Sequence, residues 1–286
     1  MRSNDPVRTS VPIGADTMSC LEWRAPDAET IVFVHATGFN AETYCALLAP
    51  LALQFHVFAC DLRGHGFSTL PTRPGLAEGW TVFRDDLVVL LAQMNAGPVI
   101  VTGHSLGATV GLMAAAAAPS LVRALILVEP VLAPPLNAED RKPSTGLALR
   151  AAQRRSTFPS REAALDSYRG RGIFASWPDS SIGDYLAGGL IETGDSTWRL
   201  ACAPAWEAEI FHEAPSGIAQ VARDIGCPLT ILHGSIASTA TASELALIRR
   251  LKPDAQVVTL EGGTHFLPIE QPARVAEQMV TGLTGL

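Results

Sequence analysis

Hydrophobic positions along the chain fall into two alternating rhythms: short uninterrupted apolar runs, and longer stretches with helical spacing. Thr30–His35 (Thr-Ile-Val-Phe-Val-His) is a continuous β-branched and aromatic run of the kind that forms a buried strand. Glu42–Gln54 then places Leu47, Leu48 and Leu51 on one helical face. Phe55–Cys60 predicts another strand, and Thr81–Met94 an amphipathic helix opening on a Thr cap. Val99–Thr102 predicts a strand followed by an Ala-rich helix that stops near Pro119, and Arg123–Val128 a further strand; Met18–Arg24 carries a weaker strand pattern. Strands that alternate with helices imply a mostly parallel sheet covered on both faces, an α/β architecture.

From Val131 to about Asp224 the rhythm changes. No convincing buried strand occurs there, and helical fragments are broken by Pro134-Pro135, Pro143, Pro159, Gly170, Pro178, Gly188-Gly189 and Pro204. The alternation returns with a strand over Pro228–His233, a helix over Ser243–Leu251, a strand over Gln256–Leu260 and a helix from Pro272. The pattern thus divides into a core of residues 1–130 and 225–286 and an inserted helical cap of residues 131–224.

Composition narrows the partners. With 286 residues, 48% of them hydrophobic, the chain can bury a large core. A formal net charge of -7 disfavours nucleic acid and anionic membrane surfaces. The polar opening Met1–Pro6 lacks the apolar run of a secretory signal. The longest apolar stretch, Leu106–Pro119, is too short and too Ala-rich to span a bilayer. The cysteines Cys20, Cys45, Cys60, Cys202 and Cys227 have no ligand spacing, which suits reduced core thiols of a cytoplasmic protein. No histidine pair has metal-binding helical spacing, so neither a metal nor another cofactor is expected. The expected partner is a small apolar molecule, acted on by a monomer or homodimer.

The chemistry concentrates after the strand at Val99. There Gly103-His104-Ser105-Leu106-Gly107 forms a Gly-X-Ser-X-Gly turn between strand and helix, the context of a nucleophile elbow. Such a turn is tight, and Gly103 and Gly107 leave room for it. The Ser105 hydroxyl needs a base, an orienting acid and oxyanion donors before it can attack.

With the elbow, the His35-Ala36-Thr37-Gly38 loop, the run Asp61-Leu62-Arg63-Gly64-His65-Gly66-Phe67-Ser68, the cap position and the late Gly263-Thr264-His265, the chain resembles the α/β-hydrolase superfamily over nearly its whole length. The resemblance implies Ser105 as nucleophile, His265 as general base, and the N–H groups of Leu106 and Thr37 as oxyanion donors. Ala36 stands where the family usually has glycine. His35 and His65 read as structural, and His104 as pocket wall or packing.

The acid departs from the family pattern. Gly234–Thr241, where most relatives carry an Asp, has no carboxylate. Some superfamily members, certain haloalkane dehalogenases and zearalenone-type lactonases among them, place the acid after the strand that follows the elbow helix. Glu129 stands there, in Leu-Ile-Leu-Val-Glu-Pro, where a buried charge without a partner would be costly. The expected function is therefore hydrolysis of a carboxylic ester or lactone by a Ser-His-Glu triad. Carbon–carbon bond hydrolysis on the same residues and a ligand-binding relative with little turnover are the alternatives. Ser in place of Asp at position 105 argues against dehalogenase or epoxide chemistry. Phe39, His104, Trp177, Trp206 and Phe266 are the expected substrate-binding side chains, and Arg84, Asp85 and Asp86 a solvated helix face.

Overall fold

A computed structural model describes residues 5–72, 75, 79–133 and 145–284. In chain order the elements are strands β1 (Val7–Ile13), β2 (Asp16–Trp23) and β3 (Thr30–Val34), helix α1 (Cys45–Leu51), β4 (His56–Cys60), α2 (Thr81–Met94), β5 (Val99–His104), α3 (Leu106–Ala117), β6 (Val122–Val128), α4 (Thr145–Ala152), β7 (Thr157–Phe158), α5 (Arg161–Tyr168), α6 (Asp179–Gly189), β8 (Leu190–Glu192), β9 (Trp198–Leu200), α7 (Pro204–His212), β10 (Leu229–Gly234), α8 (Ala242–Leu251), β11 (Gln256–Leu260), α9 (Leu267–Glu270) and α10 (Pro272–Leu283). The main sheet has eight strands in the order β1-β2-β4-β3-β5-β6-β10-β11. From β4 to β11 every pairing is parallel, and β1 and β2 add an antiparallel edge.

Alternation along the strands builds two cores. Val32 and Val34 of β3, Val99 and Val101 of β5 and Leu125 and Leu127 of β6 pack toward α2, α3 and α8. Ile31 and Phe33, Ile100, and Ala124 and Ile126 point the other way, toward α1 and α10. The buried-strand runs of the sequence are thus strands with both faces covered.

Several elements differ from the sequence pattern. β1 has no strong apolar rhythm, because as an edge strand it exposes one side and tolerates Pro12. The segment expected as one helix from Glu42 starts as a 3₁₀ turn over Ala41–Tyr44, capped by Asn40. Thr81 is the first residue of α2 and not its cap, which is Trp80. The inserted region is not purely helical: β7, β9 and β8 form a small antiparallel sheet of three strands. Their two- and three-residue lengths leave no periodicity to detect. Asp86 is not on a solvated face. It is buried and accepts two bonds from the Arg63 guanidinium, at 2.8 and 2.6 Å, pinning the Arg63–Gly64 turn to α2. Only Arg84 and Asp85 behave as a surface pair. The polar opening at residues 1–4 and the breaks expected at Pro134, Pro135 and Pro143 lie outside the described residues.

Candidate active site

The carboxyl ends of neighbouring parallel strands bring the expected residues to one edge of the sheet. Thr37 follows β3, Ser105 follows β5, Glu129 follows β6, Gly234 ends β10 and His265 follows β11. The chemistry is spread across adjacent strands, so small shifts of any one loop are resisted by the ladder on either side.

Ser105 occupies φ 54°, ψ -115°, a conformation that side chains rarely adopt, and its N–H donates to the Val128 carbonyl at 3.0 Å. The glycines around it are required by contact. A Cβ on Gly107 would lie 2.1 Å from the Val34 carbonyl oxygen, and one on Gly103 would lie 2.6 Å from the Gly107 backbone. The serine is 8% exposed, as is Thr37.

The loop after β3 has spent most of its amides. Ala36 N–H donates to the Tyr44 hydroxyl at 3.1 Å, Gly38 N–H to His65 Nε2 at 3.1 Å, and Phe39 N–H to the Ala36 carbonyl at 3.1 Å. Among the described residues no acceptor meets the N–H of Thr37 or of Leu106, the two groups expected to face an oxyanion. His35 and His65 brace this loop. His35 Nε2 accepts from Leu62 N–H at 2.8 Å and Nδ1 lies 2.8 Å from the Ala36 carbonyl. Burial lowers His35 to about 4 and His65 to about 3, so both stay neutral.

Glu129 also has positive φ, 51°, and its side chain is fully buried. The carboxylate expected as the triad acid is densely partnered. Oε1 accepts from Gly234 N–H at 2.6 Å; Oε2 accepts from Thr239 N–H at 2.9 Å, Ser238 hydroxyl at 3.1 Å and His265 Nδ1 at 3.1 Å. Burial alone would push this carboxyl up, but the His265 bond and the two amides outweigh it and hold the group below its ordinary value. A carboxylate only accepts, so Nδ1 of His265 carries the proton and Nε2 is the bare, basic nitrogen.

Gly234–Thr241 carries no acid of its own. The loop is instead the donor set for Glu129, and the Thr239 hydroxyl also stands 3.2 Å from His265 Nδ1. Its run of Ser and Thr was the available signal.

The expected binding residues separate. Phe39 packs on Trp177 (ring centroids 5.4 Å), Tyr185 (5.8 Å) and Phe266 (6.3 Å), and Trp177 on Phe266 (6.1 Å), so rings from the oxyanion loop, the inserted region and the histidine loop meet. Trp206 is not among them. Its indole N–H donates to the Arg63 carbonyl at 3.1 Å and its ring packs on Phe83 of α2, because a large side chain at this point of α7 faces the core helix and not the elbow. His104 is fully buried, with its ring nitrogens 2.8 Å from the Tyr44 hydroxyl and 2.8 Å from the His265 carbonyl, so of the two readings it takes packing. A cap feature absent from the sequence reading is Arg154, which pairs with Glu207 and donates to Tyr168 at 3.1 Å and to the Tyr185 hydroxyl. Glu207 sits so close to the oxyanion loop that a Cβ on Gly38, which has φ +75°, would lie 2.6 Å from its Oε1.

Comparison with known proteins places the fold in a family. The model of the alpha/beta hydrolase family matches residues 31–278. The chain belongs to that family. It is 28% identical to a 2-(acetamidomethylene)succinate hydrolase of Mesorhizobium japonicum over 90% of this chain and 88% of that one, and 26% identical to an esterase of Mycobacterium tuberculosis over 96% and 89%. Among solved structures, an E-2-(acetamidomethylene)succinate hydrolase superposes with a TM-score of 0.82 at 25% identity, covering 97% of this chain and 99% of that one. The relatives are hydrolases, and the chain is an α/β-hydrolase-fold enzyme of that kind. Among the described residues no helix is long and apolar enough to cross a membrane, and no cluster of side chains could hold a metal.

Proposed function

We propose that this hydrolase cleaves a carboxylic ester or lactone through a Ser105-His265-Glu129 triad and an acyl-enzyme. His265 Nε2 removes the Ser105 proton as Oγ attacks the carbonyl carbon. The N–H groups of Thr37 and Leu106 stabilise the oxyanion, and His265 returns the proton to the leaving oxygen. Water, activated by the same nitrogen, then releases the acid and restores Ser105. Glu129 holds the reactive tautomer and stabilises the imidazolium. The observation that carries the reading is the bond from His265 Nδ1 to a carboxylate of lowered pKa. The ring cluster of Phe39, Trp177 and Phe266 supports an apolar acyl or aryl group of small to medium size, with residues 131–224 acting as the cap that encloses it.

A second reading is an acidic amide-bearing substrate, since a 28% identical relative is a 2-(acetamidomethylene)succinate hydrolase. The cap supplies Arg154 as a cation. Its charge is already matched by Glu207, whose carboxylate lies against the oxyanion loop, so an anionic acyl group would meet repulsion there. Neutral esters are therefore the first choice. A fluorophosphonate probe should label Ser105 and nothing in Ser105→Ala. Aryl esters of graded chain length, lactones, diketones and N-acyl enamine succinates should then be assayed together. Turnover of esters or lactones is expected. Exclusive turnover of the acidic amides or of the diketones would replace the reading, and an unlabelled Ser105 would end it.

A further inference from the structure

The mechanism above leaves unused a chain of hydrogen bonds, two buried and one part-buried, between the oxyanion loop and the histidine loop. Ala36 N–H meets the Tyr44 hydroxyl at 3.1 Å, that hydroxyl meets His104 Nδ1 at 2.8 Å, and His104 Nε2 meets the backbone carbonyl of His265 at 2.8 Å. Tyr44 is 1% exposed and His104 is not exposed at all. From this geometry we propose that Tyr44 and His104 are positioning residues, which lock the oxyanion loop to the backbone of the catalytic histidine. The proposal rests on the reading of Ser105, His265 and Thr37 given above.

Every proton in the chain is determined by its ends. The His265 carbonyl can only accept, so His104 Nε2 carries a proton. Burial lowers His104 to about 3, with the neighbouring His265 acting in the same direction, so the ring is neutral and Nδ1 is bare. The Tyr44 hydroxyl must then donate to Nδ1, which leaves its oxygen to accept from Ala36. The bonds therefore run one way, from the amide beside Thr37 to the carbonyl of His265. A directed chain of this kind, with each donor satisfied by one acceptor, rigidifies the groups it joins.

Its anchor points explain why it matters for rate. Ala36 precedes the proposed oxyanion donor Thr37, and His104 precedes Ser105. Glu129 and Thr239 orient the His265 ring, whereas His104 holds the His265 main chain. The donor, nucleophile and base are thus referenced to one rigid path, and catalytic geometry tolerates errors of only about half an ångström. Tyr44 and His104 also pack on Phe39, at centroid distances of 6.2 and 6.3 Å, and that contact is made by their rings, so removing only the Tyr44 hydroxyl leaves it in place.

Tyr44→Phe keeps the ring and removes the oxygen on which two of the three bonds depend. It should lower kcat by about 10- to 100-fold, the loss seen when partners that orient metal-ligating side chains are removed, with KM within about threefold and Ser105 still labelled by fluorophosphonate. A boronic acid that forms a tetrahedral adduct should lose affinity in parallel with kcat. His104→Gln, whose amide can still donate to the His265 carbonyl, should retain more kcat than His104→Leu. Nitrogen-15 shifts of the wild-type enzyme should show His104 protonated on Nε2 and bare on Nδ1. Wild-type kcat in Tyr44→Phe, a loss confined to thermal stability or KM, equal Gln and Leu variants, or a proton on Nδ1 would each overturn the proposal. If Ser105 is neither labelled nor required, it is the triad reading that fails instead.

Discussion

The loops at the carboxyl edge of the sheet and the rings that face them from the inserted region hold their shape by different means. In the loops nearly every polar atom has a named partner: Glu129 accepts from Gly234, Ser238, Thr239 and His265, and Gly38, Ala36 and Phe39 have their amides spent. In the inserted region Trp177 leans on Phe39 and Phe266 and Tyr185 on Phe39 through ring contacts, with Phe174 packed behind both; Arg154 ties down the Tyr185 hydroxyl, but the buried Trp177 N–H has no partner among the described residues. Hydrogen bonds have direction and length, so the loops define atoms to within tenths of an ångström. Ring packing is far less directional and accommodates ligands of several shapes. On the proposed reading, the first region carries the chemistry and the second selects the substrate.

The comparison breaks most clearly at the reacting groups. Ser105→Ala or His265→Ala should cost on the order of 10⁶ in kcat if the three groups act as a unit, measured on whichever ester the wild type turns over. A loss of tenfold or less would mean the loops do not carry the chemistry.

Glu129→Gln should cost roughly 10⁴ in kcat, since it removes the charge that fixes the His265 tautomer and keeps the shape. The same substitution tests stability against pH. The folded-state pKa of Glu129 is depressed, so its contribution is present above the unfolded carboxyl value and is lost as pH falls through the folded one. Thermal melts of the wild type should therefore fall more steeply below about pH 4 than those of Glu129→Gln. Parallel curves would remove Glu129 from the acid transition.

The turn at Arg63 tests how rigidly the loops are tied to the core. Asp86→Asn leaves the Arg63 guanidinium buried without its counter-charge, which should cost about 3–5 kcal/mol of stability. Ester kcat per folded molecule should change little, because neither group reaches Ser105. A denaturant midpoint unchanged from wild type would show the pair to be solvent-screened.

How much of this was legible in the sequence follows the same division. The elbow, the histidine loop and Glu129 were readable because each is fixed by local constraint: two glycines forced by backbone contacts under 3 Å, a Gly-X-His turn, a charge where none should be buried. Asp86 misled because helix spacing alone does not reveal a partner that arrives from a turn 23 residues away. Thr239 and Ser238 were missed because a donor leaves no mark until its acceptor is placed. Trp177 and Trp206 looked alike in sequence, both lone tryptophans in a Pro-broken region. Only the packing separates them, one beside the catalytic loops and one on the Arg63 turn.

Those two tryptophans give the finest test of the comparison, since the same substitution has opposite expected consequences. Trp206→Phe removes one of the two donors to the buried Arg63 carbonyl, the other being His65 Nδ1, so it should lower stability by about 0.5–1.5 kcal/mol and leave chain-length preference unchanged. Trp177→Phe removes an N–H that meets no acceptor among the described residues, so stability should hold or rise slightly. Its ring packs on both Phe39 and Phe266, and trimming it should shift the ratio of kcat/KM values between short and long acyl esters by about 10-fold or more, the effect of a methylene or more of pocket space. Melting temperatures and an ester series on the two variants decide the matter. If Trp177→Phe loses as much stability as Trp206→Phe and keeps wild-type selectivity, the ring belongs to the packing of the inserted region, and the surface that chooses the substrate lies elsewhere.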